Sequence, residues 1–240
     1  MNASRKPSVI LLDIEGTTTP ISFVYETLFP YARAHLKQFL EEYADDEDVH
    51  RDLDLLIKEN REEKSVDTPM ISEARSLLQV QSYLVWLMGN DRKSTALKAV
   101  QGKIWKTGYT SGQLKSTIFT DVPTAFERWH NEERRVAIYS SGSVLAQEML
   151  FRYTNQGDLT RWIETYFDTA TGAKIESESY SRIIQKLGVE AKETLFLSDS
   201  SAELDAAASA GLDVRLAIRP GNRPVPPSVR HPQVLSFDEL

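Results

Sequence analysis

Ser8-Val9-Ile10-Leu11-Leu12-Asp13, followed by Ile14-Glu15-Gly16-Thr17-Thr18, is a short branched apolar run that ends on an acid and breaks into a glycine-containing turn. Its length and branching are those of a strand buried on both faces. Three later stretches repeat the pattern: Arg135 to Ser140 (RVAIYS), Thr194 to Asp199 (TLFLSD) and Asp213 to Ile218 (DVRLAI). After the second and third come helical patterns, Val144 to Arg152 and Ala202 to Ala210. Strands alternating with helices predict an α/β fold with a doubly wound, mainly parallel sheet. Sites in such sheets form outside the carboxyl ends of the strands.

Between the first two strands the pattern changes. From Phe23 to Ser116 the chain reads as several helices without a strand. Asp48 to Lys64 is strongly charged, with Leu53, Leu56 and Ile57 at helical spacing. Ser72 to Gly89 has a wide apolar face of Leu77, Leu78, Tyr83, Leu84, Trp86 and Leu87. Lys93 to Trp105 reads as a further helix, stopped near Gly108. Residues 23–116 are therefore expected to form an all-helical cap, inserted into an α/β core of residues 1–22 and 117–240. The acidic stretch Glu41 to Glu63 reads as a solvated face. Pro220 to Pro232, with five of the ten prolines, reads as an extended connector.

With 240 residues the chain suffices for one full domain and a small second one. No apolar run approaches the ~20 residues of a membrane span, and the basic start, Met1 to Pro7, lacks the apolar core of a secretory signal. The absence of cysteine excludes disulfides and thiolate chemistry, and fits a reducing cytoplasm. A net charge of −7 argues against nucleic acid or an anionic membrane as partner. An anionic substrate must then be drawn in by local positive charge. His35, His50, His130 and His231 show no metal-ligand spacing.

Four elements suit phosphate chemistry. Asp13 at a strand end can attack phosphorus and form an acyl phosphate, although an acid there can also merely cap a turn. Glu15 could serve as general acid and base or lie close to a metal. Ser140-Ser141-Gly142-Ser143 offers hydroxyls and backbone N–H groups at a helix mouth, an anion site or an ordinary helix cap. Lys174, in Gly172-Ala173-Lys174-Ile175-Glu176-Ser177, can neutralise both the carboxylate and phosphate oxygens. Asp199 can share a magnesium ion with Asp13. Glu203 and Asp205 follow it as supporting acids, with Glu203, about one turn on, the favoured one. Each signal is weak alone, but their order and spacing are much harder to obtain by chance.

In that order, with the helical insertion after the first, these elements resemble the four motifs of the haloacid dehalogenase superfamily. The match narrows further. Asp13 to Tyr31 (DIEGTTTPISFVYETLFPY) is similar to the enolase-phosphatase E1, or acireductone synthase, family of methionine salvage. So are Gly102 to Leu114, Ile138 to Leu150, Gly172 to Tyr180 and Ala217 to Asn222. Most superfamily phosphatases carry aspartate two residues after the nucleophile, where this chain has Glu15. The resemblance implies that Asp13 is nucleophile and magnesium ligand, and that Glu15 lies at the metal and acts as acid and base. It makes Asp199 the remaining ligand, and Ser140, Ser141 and Lys174 the groups that hold substrate. The implied reaction is the Mg²⁺-dependent enolisation and dephosphorylation of 2,3-diketo-5-methylthiopentyl-1-phosphate by a monomer. The alternative is a phosphatase of the same superfamily acting on another small phosphate ester without enolisation. An apolar wall for the methylthio end has candidates in Trp86, Met88, Trp105 and Tyr109, each of which packing within the protein also explains.

Overall fold

A computed structural model of the chain describes residues 6–72, 76–90 and 92–240; residues 1–5 of the basic start lie outside them. Six strands form one sheet: β1 (Val9–Leu12), β2 (Arg135–Tyr139), β3 (Ile163–Phe167), β4 (Thr194–Ser198), β5 (Asp213–Ala217) and β6 (Gln233–Val234). Their order is β3-β2-β1-β4-β5-β6, and every pairing is parallel. From β1 the chain winds outward to β2 and β3, and from β4 to β5 and β6. The direction of winding therefore reverses between β1 and β4, where doubly wound sheets open a crevice.

The central strand is buried on both faces, as its unbroken apolar run requires: all four residues of β1 are fully buried. Val9 and Leu11 join one apolar cluster with Ala137 and Phe196, Tyr180 and Ile183 of α7 (Ser177–Leu187) and Leu204 of α8 (Ser201–Ser209). Ile10 and Leu12 alternate to the other face. The other α-helices described in this part are α5 (Asp121–Asn131) and α6 (Val144–Arg152).

Two compact units divide the chain, one made of Met1–Val24 with Lys115–Leu240 and the other of Tyr25–Leu114. The chain crosses between them within a π-helical stretch, Phe23–Leu28. The second unit holds α1 (Phe29–Tyr43), α2 (Glu47–Glu62), α3 (Leu77–Gly89) and α4 (Thr95–Thr110). Leu53, Leu56 and Ile57 are buried along α2. Its acids are not all solvated, however. Glu59 accepts from the Thr95 and Ala96 amides at the start of α4 (3.1 and 3.3 Å), Asp52 pairs with Lys103, and Glu63 pairs with Arg92.

The helix expected from Ser72 begins at Leu77, capped by Ser76, and residues 73–75 lie outside the described residues. Helix α4 runs through Gly108 and ends two residues on, at Thr110. The glycine serves close packing: a Cβ at this position would stand 2.6 Å from the Tyr31 ring. Trp105 and Tyr109 are buried in this unit, and Trp105 Nε1 donates to Leu28 O (2.8 Å). Trp86 and Met88 are half-buried. Among the described residues no helix is long and apolar enough to cross a membrane.

Candidate active site

Leu12, the last residue of β1, is in register with Ile138 of β2 and Leu197 of β4. Asp13 is thus the first residue past the sheet edge, in line with Tyr139 and Ser198, with Ser140 and Asp199 one step further out. The Asp13 amide donates to Leu197 O (2.9 Å), extending the ladder. Beyond it Gly16 turns the chain with φ +67°, and a Cβ there would collide with the Asp199 carboxylate. This close approach of loop to carboxylate demands glycine.

The Asp13 carboxylate is buried and directly held. Oδ1 accepts from the Ile14 amide (2.8 Å) and from Lys174 Nζ (2.5 Å). Oδ2 has a longer bond, from Ser198 Oγ (3.2 Å), and is the more lightly bound oxygen. Lys174 Nζ also pairs with Glu203 Oε2 at 2.6 Å, so one ammonium joins two acids. Burial opposes its charge, but Asp13 and Glu203 outweigh burial and hold the lysine protonated. Four consecutive carbonyls fix the segment that carries it. Thr171 O accepts from Arg182 (2.8 Å), Gly172 O from Tyr139 Oη (2.9 Å), Ala173 O from Ser179 Oγ (2.8 Å) and Lys174 O from Tyr180 Oη (2.7 Å).

Acid exceeds base here. Burial first, then the Asp13 charge, pushes Glu15 up to about 7, with Asp199 adding to the shift. The same two causes raise Asp199 to about 6 and Glu203 to about 7. Against the acids stand Lys174 and, at Asp199, Arg223. Glu203 also meets Ser198 Oγ (2.9 Å), whereas Asp205 faces outward and pairs with His231 (2.8 Å). Of the two supporting acids, then, Glu203 is in the site and Asp205 is not.

In the serine turn two backbone N–H groups are engaged locally. The Ser140 amide donates to Phe167 O (3.1 Å), and the Gly142 amide to Ser140 Oγ (3.2 Å). Ser143 caps α6 by accepting from Ala146 N (3.3 Å), while Gln147 Nε2 pins the turn through Gly142 O (2.8 Å). Ser140 is buried and Ser141 exposed.

The sequence profile of the haloacid dehalogenase-like hydrolases matches residues 7–211. An enolase-phosphatase E1 of Synechococcus elongatus is 47% identical over 233 residues, covering 97% of both chains. That of Danio rerio is 40% identical, covering 97% of this chain and 94% of its own. The chain belongs to the enolase-phosphatase E1 family of haloacid dehalogenase-like hydrolases. A crystal structure of the UTR4 protein of Saccharomyces cerevisiae shares the fold with a TM-score of 0.81 at 39% identity, covering 98% of this chain and 100% of that one.

Enolase-phosphatases and their superfamily generally depend on a divalent metal ion. Among the described residues no three His, Cys, Asp or Glu side chains are gathered as a ready-made metal cage. Magnesium does not need one, since it binds through one or two carboxylates and keeps waters and substrate oxygens as its other ligands. The surplus of carboxylate over ammonium around Asp13 is charge that such a cation would offset, so the residues fit it.

A pH dependence follows. Acids whose folded pKa is raised weaken the fold as they ionise, and here that happens as pH rises toward and through 6–7. Magnesium competes with those protons. Its addition is expected to raise the unfolding midpoint more at pH 8 than at pH 6. Equal increments at the two pH values in differential scanning fluorimetry would contradict this.

A cleft of about 590 Å³ at the opposite, amino-terminal ends of β2 and β3 is lined by His130, Arg134, Arg135, Arg161, Trp162 and Glu164, among others. Asp13, Glu15, Ser140, Ser141, Lys174, Asp199 and Glu203 do not line it.

Proposed function

We propose that this enolase-phosphatase converts 2,3-diketo-5-methylthiopentyl-1-phosphate to the acireductone 1,2-dihydroxy-3-keto-5-methylthiopentene and phosphate, through an aspartyl phosphate on Asp13. The observation that carries the reading is the joint hold of Lys174 on Asp13 and Glu203, beside a second acid, Glu15, two residues from the nucleophile.

Asp13 attacks phosphorus through Oδ2 while Ile14 N–H and Lys174 hold Oδ1. The bond from phosphorus to the substrate oxygen breaks, and that oxygen takes a proton from Glu15. Water then cleaves the acyl phosphate, gives its proton back to Glu15 and restores the Asp13 carboxylate. Lys174 offsets charge first on the nucleophile and then on the phosphate oxygens, and Ser140 and Ser141 hold the substrate. In the preceding enolisation a proton leaves C1 and the C2 carbonyl oxygen gains one. Asp13, Glu15 and Asp199 would hold a magnesium ion, which would supply polarisation of that carbonyl and neutralisation of charge at phosphorus.

A side chain ionising near neutral pH can both take and return protons. The value of about 7 for Glu15 belongs to the metal-free protein, and a cation beside it would lower it. The extra methylene of Glu15 over aspartate extends its reach, and we assign it to the enolisation step as well. The helical unit, inserted between β1 and β2, takes the part of a cap that excludes water. The same reading makes the protein a cytoplasmic monomer.

Glu15→Asp is expected to keep phosphate release from a simple ester within about tenfold while slowing enolisation by on the order of 10²-fold. Full enolisation by this variant in stopped flow would sink the role given to Glu15. A clear preference of the native protein for a non-enolisable phosphate ester would favour the plain phosphatase instead.

A further inference from the structure

The turn that follows β5 grips the catalytic loop at two adjacent carbonyls. Residues 218–222 close on themselves by a bond from the Asn222 amide to Arg219 O (3.1 Å). From this turn Asn222 Nδ2 donates to Gly16 O (2.9 Å) and, at its base, to Ala217 O (3.2 Å). Arg219 Nε donates to Thr17 O (3.0 Å). Gly16 and Thr17 come directly after Glu15. The amides of Thr17, Thr18 and Thr19 all point back to Ile14 O (3.2, 2.9 and 2.9 Å). The loop is thus tied inward through its N–H groups and outward through its carbonyls, with Asp13 and Glu15 at its start.

Arg219 is itself held through Nε and Nη1 and between two rings. It is 7% exposed, and its guanidinium lies against the rings of Phe119 (4.9 Å) and Phe237 (4.4 Å). Nη1 donates to Asp121 Oδ2 (2.7 Å) and Leu235 O (3.1 Å). The same Asp121 oxygen accepts from the Phe237 amide (2.6 Å) and Ser236 Oγ (3.2 Å). A planar fork fixed at its far end by a carboxylate and two rings leaves Nε little freedom, so the position of Thr17 O is set rigidly.

We propose that Arg219 and Asn222 are positioning residues, which touch no reacting atom but hold the Gly16 and Thr17 carbonyls and so set where Asp13 and Glu15 present their carboxylates. The proposal rests on Asp13 and Glu15 being the reacting acids. Its two parts separate chemically. Arg219→Lys keeps a cation for Asp121 but cannot also serve Thr17 O from Nε. Asn222→Ala removes the donor to Gly16 O and leaves the Arg219 pair intact.

Both variants and the native protein are compared with p-nitrophenyl phosphate for kcat and KM, by thermal unfolding, and by amide exchange of the peptide spanning residues 14–19. The expected result is a kcat lower by on the order of 10–100-fold, as for a misplaced reacting group. KM stays within about threefold, the unfolding midpoint within a few degrees, and the loop amides exchange faster. Native kcat per folded molecule would overturn the proposal whatever the exchange rate, as would a raised KM at unchanged kcat. The ester cannot enolise and exchange needs no substrate, so failure of the acireductone assignment leaves this test standing. Where this ester turns over poorly, kcat and KM are taken with another phosphate monoester that cannot enolise.

Discussion

Asp13→Asn is expected to stop phosphate release, with a fall on the order of 10⁴-fold or more in kcat at unchanged magnesium. The amide cannot form the acyl phosphate, although its oxygen can still accept from Ile14 N–H and Lys174. Loss of activity here is not loss of fold. The Asp13 charge is a cause of the raised pKa values of Glu15, Asp199 and Glu203, so removing it relieves a repulsion that three half-buried acids share. The metal-free variant should therefore unfold at the native midpoint or above it. Activity within tenfold of native would remove Asp13 from the nucleophile's place. A collapsed midpoint would show that the carboxylate stabilises the site more than it strains it.

Lys174→Met acts in the opposite sense. The ammonium is within 2.6 Å of both Asp13 and Glu203, and all three side chains are largely buried. Taking away one partner of a buried pair leaves the other charged and uncompensated, at about 3–5 kcal/mol. For a chain of this size that corresponds to an unfolding midpoint lower by roughly 6–20 °C. Glu203 can escape the penalty by taking up a proton. Burial and Asp13 already raise Glu203 to about 7 with the lysine present, and without it the proton is held more firmly still. The loss should then be largest at pH 8 and shrink toward pH 5.5, because protonated Glu203 no longer needs a counter-ion. A midpoint difference that is constant, or larger in acid, would mean that the lysine contributes packing rather than charge. Activity should fall at every pH, since phosphate oxygens lose their cation.

Much of this architecture is legible in local pattern, and the gaps have physical causes. β1, β2 and β4 announce themselves because central parallel strands are buried on both faces and nearly continuously apolar, whereas β5 shows itself by alternation, with Val214 and Leu216 buried and Asp213 exposed. β3, with Ile163 and Phe167 buried but Glu164 exposed between them, sits at the sheet edge and reads as mixed polar sequence. The two-residue β6 begins where the proline tail ends and is too short to carry a pattern of its own. Lys174 and Glu203 are legible as residue types at motif spacing, and they do meet at Asp13. Ser198, Tyr139, Ser179, Tyr180, Arg182, Arg219 and Asn222 are a different matter. Each acts through a hydrogen bond that only the assembled fold creates, most of them to a main-chain carbonyl, which any residue type supplies. A side chain aimed at a carbonyl 202 residues away leaves no periodic trace, as Arg219 on Thr17 illustrates. The motif Ala217 to Asn222 (AIRPGN) holds the signal, but only geometry gives it a meaning.

The most direct test of the account is to incubate the native protein with the diketo phosphate, or an analogue that can enolise, and Mg²⁺. The acireductone chromophore and free phosphate are followed together, with Asp13→Asn as the control. The account predicts that both appear, that both require Mg²⁺, and that the control releases no phosphate. Phosphate from simple esters with no chromophore from the diketone would contradict it, leaving a phosphatase that does not enolise.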